Sequence, residues 1–202
     1  MCGIVGIISN QSHQKINLSL DKIAHRGPDS HGIYSHENLS LGHRRLSIID
    51  LSENGHQPMI SNCGNFVLIF NGEIYNHLDV RVKLEPKYTF KSHSDTETLL
   101  YGFIEFGSEI LNMLNGIFAF SILNKQTNEL FIARDQFGIK PLYYYSDENL
   151  FWFSSEIKSI LPLPFNKDVA VESLENYLTF LYSPAEKTPF KHVLKLLPGH
   201  SF

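Results

Sequence analysis

Met1-Cys2-Gly3-Ile4-Val5-Gly6 opens the chain, and the reading of Cys2 decides what the rest of it is for. If Met1 is clipped, which the small side chain at position 2 permits, Cys2 carries a thiol and a free α-amine on one residue. A thiol titrates near ~8.5 and an α-amine near ~7.7–8, so either can change proton state at neutral pH. One residue can then supply both nucleophile and general base. Gly3 and Gly6 let the backbone pass close to other groups, while Ile4, Val5, Ile7 and Ile8 predict a buried strand. The alternative is a first strand that holds a buried cysteine as an ordinary core residue.

Composition narrows the field. At 202 residues with 43% apolar and 19% charged residues, the chain suits one full domain, with part of a second, and can bury a substantial core. A net charge of −4 provides no basic field for nucleic acid or an anionic membrane. No apolar run approaches the ~18 residues of a membrane span, and no cationic segment precedes the apolar start as in a signal peptide. Cys2 and Cys63 make no disulfide framework, and none of the ten histidines falls into a familiar zinc spacing. No metal site is expected, and the expected compartment is the cytoplasm.

Outward from the first strand, Ile16, Leu20 and Ile23 mark one face of a helix ending at His25-Arg26-Gly27-Pro28-Asp29. There Gly27 is expected to stop the helix and Pro28 to prevent its resumption, with Arg26 and Asp29 locking the turn. Leu39 to Ile49 reads as extended, with Arg44-Arg45 inside it. Asn54-Gly55 and Gln57-Pro58 mark a loop. Phe66 to Phe70 is a continuous apolar run, most simply a strand buried on both faces. It is expected to end at Asn71-Gly72-Glu73, where Asn-Gly signals a tight turn, although no clean returning strand follows.

Ser94-Asp95-Thr96-Glu97 is a capping box before the apolar face Leu99, Leu100, Phe103 and Ile104, with Gly107 as the stop. Asp95 suits the helix dipole, and it equally suits a ligand ammonium. From Gly116 the signals are β: Ile117–Leu123 and Glu129–Arg134 around a polar turn, then Leu142–Tyr145 and Leu150–Ser154. Antiparallel strands flanked by helices predict two packed sheets under helical layers. Pro162-Leu163-Pro164 reads as a boundary, and Val171, Leu174, Leu178 and Leu181 form a second helical stripe beyond it.

Six segments then occur in one order: Cys2 to Gly6, His25 to Asp29, Arg45 to Asp50, Asn71 to Asn76, Ser94 to Glu97 and Arg134 to Tyr143. Together they resemble the glutaminase domain of glutamine-hydrolysing asparagine synthetases, a class II glutamine amidotransferase. The Arg45 and Asp135–Tyr143 segments are similar to the asparagine synthetase branch in particular. The resemblance implies the N-terminal nucleophile hydrolase fold, an α+β, four-layer α/β/β/α sandwich of two mainly antiparallel sheets.

It also implies roles. Cys2 attacks the carboxamide of L-glutamine to give a thioester, its α-amine shuttling the proton. The Asn71 side-chain amide and the Gly72 N–H form the oxyanion hole, Gly72 allowing close approach. Arg45 clamps the substrate α-carboxylate, Asp95 pairs with the α-ammonium with help from Glu73, and the backbone of Leu46, Ser47, Ile48 and Ile49 lines the pocket. Alternation along a strand turns Arg44 to the opposite face. No cofactor is expected for this domain.

By the same resemblance, residues 1–164 are the glutaminase domain and 165–202 the start of, or linker to, a truncated synthetase domain that would use ATP and Mg to make asparagine from aspartate. No ATP-binding glycine-rich loop occurs in these residues. The implied partners are glutamine and a synthetase domain in cis, with a homodimer possible and neither nucleic acid nor membrane involved. Two other readings are carried forward: the same glutaminase chemistry feeding another carboxylate, of a sugar or peptide, and a non-catalytic glutamine-binding or dimerisation module.

Overall fold

A computed structural model describes residues 1–47 and 52–202. Ile48 and Ile49, expected in the pocket wall, lie outside the described residues. In chain order the elements are β1 (Gly3–Ile8), α1 (Ser12–Asp21), β2 (Ser30–His36), β3 (Leu39–Arg45), β4 (Met59–Ile60), β5 (Phe66–Ile74), α2 (His77–Leu84), α3 (Asp95–Phe106), β6 (Gly116–Asn124), β7 (Glu129–Arg134), β8 (Tyr143–Ser146), β9 (Phe151–Ser154), α4 (Val171–Phe180) and β10 (Val193–Lys195). They form one sheet ordered β10-β8-β9-β1-β3-β2 and a second ordered β4-β5-β6-β7. Every strand pairing is antiparallel.

Side-chain alternation sorts the core into layers. Val5 and Ile7 of β1 face α1, meeting Ile16, Leu20 and Trp152. Ile4 points the other way, with Leu39, Leu41 and Phe153, into the gap between the sheets, where Val67, Ile69, Ala119 and Ile132 arrive from the second sheet. The far face of that sheet, through Leu68, Phe70, Ile74 and Phe120, packs on Leu99 and Leu100 of α3. The result is helix, sheet, sheet, helix: the α+β sandwich.

Three local expectations are corrected. The first helix ends at Asp21 rather than at Gly27, and a short 3-10 turn, Ala24–Arg26, leads into the His25–Asp29 segment. Gly27 has φ −148°, not the left-handed value of a helix stop. It is glycine because a Cβ would lie 2.4 Å from the Arg44 carbonyl carbon. Asn71-Gly72 makes no turn: β5 continues through Ile74, paired along its length with β6, Asn71 opposite Ala119 and Gly72 opposite Phe118. Tertiary pairing overrides the local turn preference. The α4 stripe exists as a helix, yet Leu174, Leu178 and Leu181 are exposed.

Beyond residue 164 the chain stays on the sandwich in part. Phe165 and Val193 join the α1-side core, β10 pairs with β8, and Phe202 exchanges backbone bonds with Ile132 of β7.

Candidate active site

Where β1 begins and β5 ends, the gap between the sheets opens as a cleft of about 90 Å³. Its walls bring together Cys2, Arg45, Leu46, Asn71, Gly72, Glu73 and Asp95, with Met1, Gln57, Thr96 and Lys140. This volume is well below the roughly 300–1,000 Å³ of clefts that take drug-sized ligands. It suits the side chain of an amino acid.

Cys2 stands just outside the ladder, whose pairing starts at Gly3 opposite Arg44. Its parity is that of Ile4, so its thiol points into the inter-sheet gap rather than toward α1. The thiol touches the Leu46 backbone: Leu46 N–H donates to Sγ at 3.4 Å, and Sγ lies 3.6 Å from the Leu46 carbonyl oxygen.

Opposite stands the end of β5. Asn71 is buried on the inter-sheet face, and its Nδ2 has no hydrogen-bond partner among the described residues. A buried amide donor left unpaired is costly unless something outside the chain accepts from it. Gly72 provides a second donor by strand geometry. Phe70 N–H donates to Gln57 Oε1 at 2.7 Å and Ile74 N–H to Asp95 Oδ2 at 2.9 Å, both off the edge of β5 that faces away from β6. Alternate residues share an edge, so Gly72 N–H emerges there too, between the two filled positions. Phe118, its opposite number, confirms the register by directing both its N–H and its carbonyl to Asp135. Residue 72 must be glycine because a Cβ would sit 2.4 Å from the Ile117 carbonyl oxygen. The neighbouring strand alone therefore demands glycine at this position.

Arg45 leaves β3 toward the cleft and donates to the Ser52 carbonyl at 3.1 Å. Arg44, one residue back, reaches the α1 side and bonds Leu20 O and Asp21, as alternation predicts. The Asp29 carboxylate accepts from Ser47 N–H at 2.8 Å, and Asp29 N–H donates to the Arg45 carbonyl. The His25–Asp29 segment therefore fixes the strand end that carries Arg45, Leu46 and Ser47.

Asp95 is the first residue of α3 and 4% exposed. Burial pushes its carboxyl above the usual carboxylate range, against the opposing pull of the Ile74 N–H and of His77. Half of the capping box forms: Ser94 Oγ accepts from Glu97 N–H at 3.3 Å. The Glu97 carboxylate instead takes the N–H groups of Lys91 and Ser92, while Ser94 N–H donates to Ser92 Oγ. Arg81 of α2 locks this turn through the carbonyls of Ser92 and Ser94. Glu73 is exposed at the rim of the cleft.

Two lining residues, Gln57 and Lys140, lie in segments singled out in the sequence but carry no site role there. Gln57 ties Phe70 of β5 to Thr96 of α3. Lys140 is 8% exposed and has its ammonium pKa lowered by burial, with Cys2 and Glu73 acting in the opposite direction. Its Nζ lies 3.5 Å from Met1 Sδ. Gln57 beside a loop proline and Lys140 within Asp135–Tyr143 are both legible as residues, but only the fold turns them inward. Among the described residues no cluster of three or more His, Cys, Asp or Glu is placed to hold a metal ion. Nor is any helix long and apolar enough to cross a membrane.

Known proteins resemble this chain. The chain is 41% identical over its full length to asparagine synthetase [glutamine-hydrolyzing] 1 of Bacillus subtilis, of which it covers 33%. It is 38% identical, over 81% of its length, to asparagine synthetase B [glutamine-hydrolyzing] of Escherichia coli, covering 30% of that protein. It thus spans about a third of the length of these relatives. Among solved structures, glutamine phosphoribosylpyrophosphate amidotransferase of B. subtilis superposes on 79% of the chain and 43% of its own, with a TM-score of 0.68 at 23% identity. That likeness is one of fold, the sandwich of two antiparallel sheets between helical layers. A family model described as a glutamine amidotransferase domain matches residues 1–202, and with the cleft built as it is, the chain belongs to the glutamine amidotransferase domain family.

Proposed function

We propose that the cleft hydrolyses L-glutamine to glutamate and ammonia, with Cys2 as nucleophile once Met1 has been removed. The observation that carries this reading is the unpaired Asn71 Nδ2 facing the thiol end of the gap, beside the edge N–H of Gly72. A donor unpaired among the described residues, beside a second N–H aimed off the same strand edge, is what a developing oxyanion needs. Cys2 Sγ attacks the carboxamide carbon and its proton passes to the α-amine. The oxygen takes up negative charge against Asn71 and Gly72, the α-amine returns the proton to the leaving nitrogen, and ammonia departs. Water, deprotonated by the same amine, then cleaves the thioester and restores the thiol. Arg45 holds the substrate α-carboxylate, and Asp95, with Glu73, its α-ammonium. A non-catalytic binding module would use the same donors only to hold the ground-state carboxamide, and the kcat of Asn71→Ala separates the two readings.

The reading extends to the whole protein. Residues 1–164 carry every side chain assigned above. Residues 165–202 lead toward a synthetase domain in cis, which would spend ATP with Mg to join the ammonia to aspartate, in the cytoplasm. The similarity to glutamine-hydrolysing asparagine synthetases supports that acceptor. Intact-mass analysis after incubation with glutamine tests the core of the proposal, since it reports Met1 removal and the γ-glutamyl thioester together. Ammonia release should vanish in Cys2→Ala and persist in Cys63→Ala. An active Cys2→Ala protein would overturn the mechanism.

A further inference from the structure

An N-terminal nucleophile has a mechanical difficulty. Without Met1, nothing precedes Cys2, and strand pairing begins only at Gly3. The torsions that aim the thiol and the α-amine are then held by few contacts. Backbone hydrogen bonding offers one handle, the Cys2 carbonyl. Arg26 Nε donates to that oxygen at 2.9 Å. The Arg26 side chain is 9% exposed, and its Nη1 is bound by Glu156 Oε1 at 3.0 Å. Glu156 also accepts from His25 Nε2 at 2.9 Å and is 3.2 Å from Lys158 Nζ. Burial alone would raise the Glu156 carboxyl, but the bonds from Arg26, His25 and Lys158 hold it below its ordinary range, so it stays ionised.

The two residues before Glu156 grip the next link of the same strand. Ser154 Oγ donates to the Ile4 carbonyl at 2.8 Å, and Ser155 Oγ accepts from Ile4 N–H at 3.1 Å. Ser155 N–H adds a bond to the Ile4 carbonyl at 3.0 Å. Ser154 and Ser155 therefore grip Ile4, while Glu156 reaches Cys2 through Arg26.

We propose that Glu156 is a positioning residue for Cys2, acting through Arg26: its carboxylate fixes the guanidinium that clamps the Cys2 carbonyl, and so aims the thiol and amine at the substrate. The inference rests on the glutaminase reading for its kinetic consequence but not for its structural one. Glu156 is outside the walls of the cleft, so glutamine affinity should not feel it, whereas attack geometry should.

The test uses the protein with Met1 removed. Glu156→Ala should lower kcat for ammonia release roughly 10–100-fold, the scale of a small misplacement of a reacting group, while KM changes by less than about threefold. Glu156→Gln, which keeps an acceptor oxygen for Arg26, should recover most of the loss. Arg26→Met combined with Glu156→Ala should be no worse than Arg26→Met alone, because both act through one clamp. If Glu156→Ala fails to fold, Glu156→Gln and its combination with Arg26→Met complete the same cycle. Independently of turnover, the ¹⁵N order parameter of Gly3 should fall from about 0.85 toward about 0.6 in the alanine variant, or fall partway in the glutamine one. Equal losses in kcat and affinity, additive effects of the two substitutions, or an unchanged Gly3 would each overturn the proposal. An inactive parent protein would refute the glutaminase reading, and the Gly3 measurement would still decide the role of Glu156.

Discussion

His43 Nε2 donates to the carbonyl oxygen of Phe70 at 3.1 Å, a bond that ties β3 of one sheet to β5 of the other directly beneath the cleft. The ring is fully buried, and its Nδ1 has no partner among the described residues. Burial, opposed by the Phe70 bond and reinforced by His56 and Arg45, pushes its pKa down to about 3 from 6.5.

That shift makes His43 a stability sensor. An unfolded chain takes up the proton near pH 6.5, whereas the native protein refuses it until about pH 3. The stabilisation is therefore complete above pH 6.5 and is lost progressively as pH falls between those values, amounting to a few kcal/mol at the acid end. His43→Gln keeps a donor for Phe70 and cannot titrate. Its Tm should fall less steeply than that of the parent between pH 6.5 and 4. Parallel Tm profiles would show that His43 is not the group responsible.

Asn71→Ala removes one of the two oxyanion donors. It should lower kcat by roughly 10²–10³ with a smaller effect on glutamine binding. The same substitution deletes a buried unsatisfied amide, so the free protein should lose little stability. Arg45→Ala should act chiefly on KM, since it touches an unreactive part of the substrate. A loss of affinity alone in Asn71→Ala would make Asn71 a ground-state contact.

Asp95 sets binding against stability. Its carboxyl is raised by burial, so the folded state prefers it protonated, and the associated stability is present at low pH and lost as pH rises through the native pKa. Asp95→Asn retains an oxygen for the Ile74 N–H while abolishing the buried charge. It should have a Tm at neutral pH no lower than the parent, yet a glutamine KM increased roughly 10–100-fold by loss of a charge-assisted bond. In the parent, KM should climb on acidification before an ordinary carboxylate would titrate. This rise should be absent from Asp95→Asn, and steady-state kinetics between pH 4.5 and about 8 would reveal it if present.

Legibility in the sequence followed the range of the interactions involved. Cys2 after Met1, the alternation that separates Arg44 from Arg45, and the Ser94 cap are local, and each could be read from a few neighbouring residues. Asn71-Gly72 was locally misleading: as a dipeptide it signals a turn, and only pairing with β6, dozens of residues away, makes it a strand. β2, Ser30–His36, offers no run of apolar residues to mark it. The Arg26–Glu156 pair spans 130 residues and joins a turn segment to the residues just past β9. Layer order and the open edge of β5 are properties of the assembled sheets, so the resemblance to a family, rather than periodicity, supplied the topology.

The N-terminus supplies the sharpest test of chemistry. With Met1 in place, the nitrogen of Cys2 belongs to a planar amide and has no basic lone pair to accept the thiol proton. Met1 also occupies the site: it lines the cleft, and its sulfur lies 3.5 Å from Lys140 Nζ. The described histidines offer no substitute base. His43 is locked to Phe70, and none of the ten lines the cleft. A protein that retains Met1 or a tag before Cys2 should therefore fold normally, with the Tm of the processed form, and hydrolyse glutamine at a negligible rate. Proteolytic exposure of Cys2 should restore ammonia release with no other change, and Lys140 should then face the new α-amine. Paired assays on the blocked and cleaved forms, each terminus verified by mass spectrometry, decide the matter. Equal rates would falsify the participation of the α-amine and require a base elsewhere in the cleft.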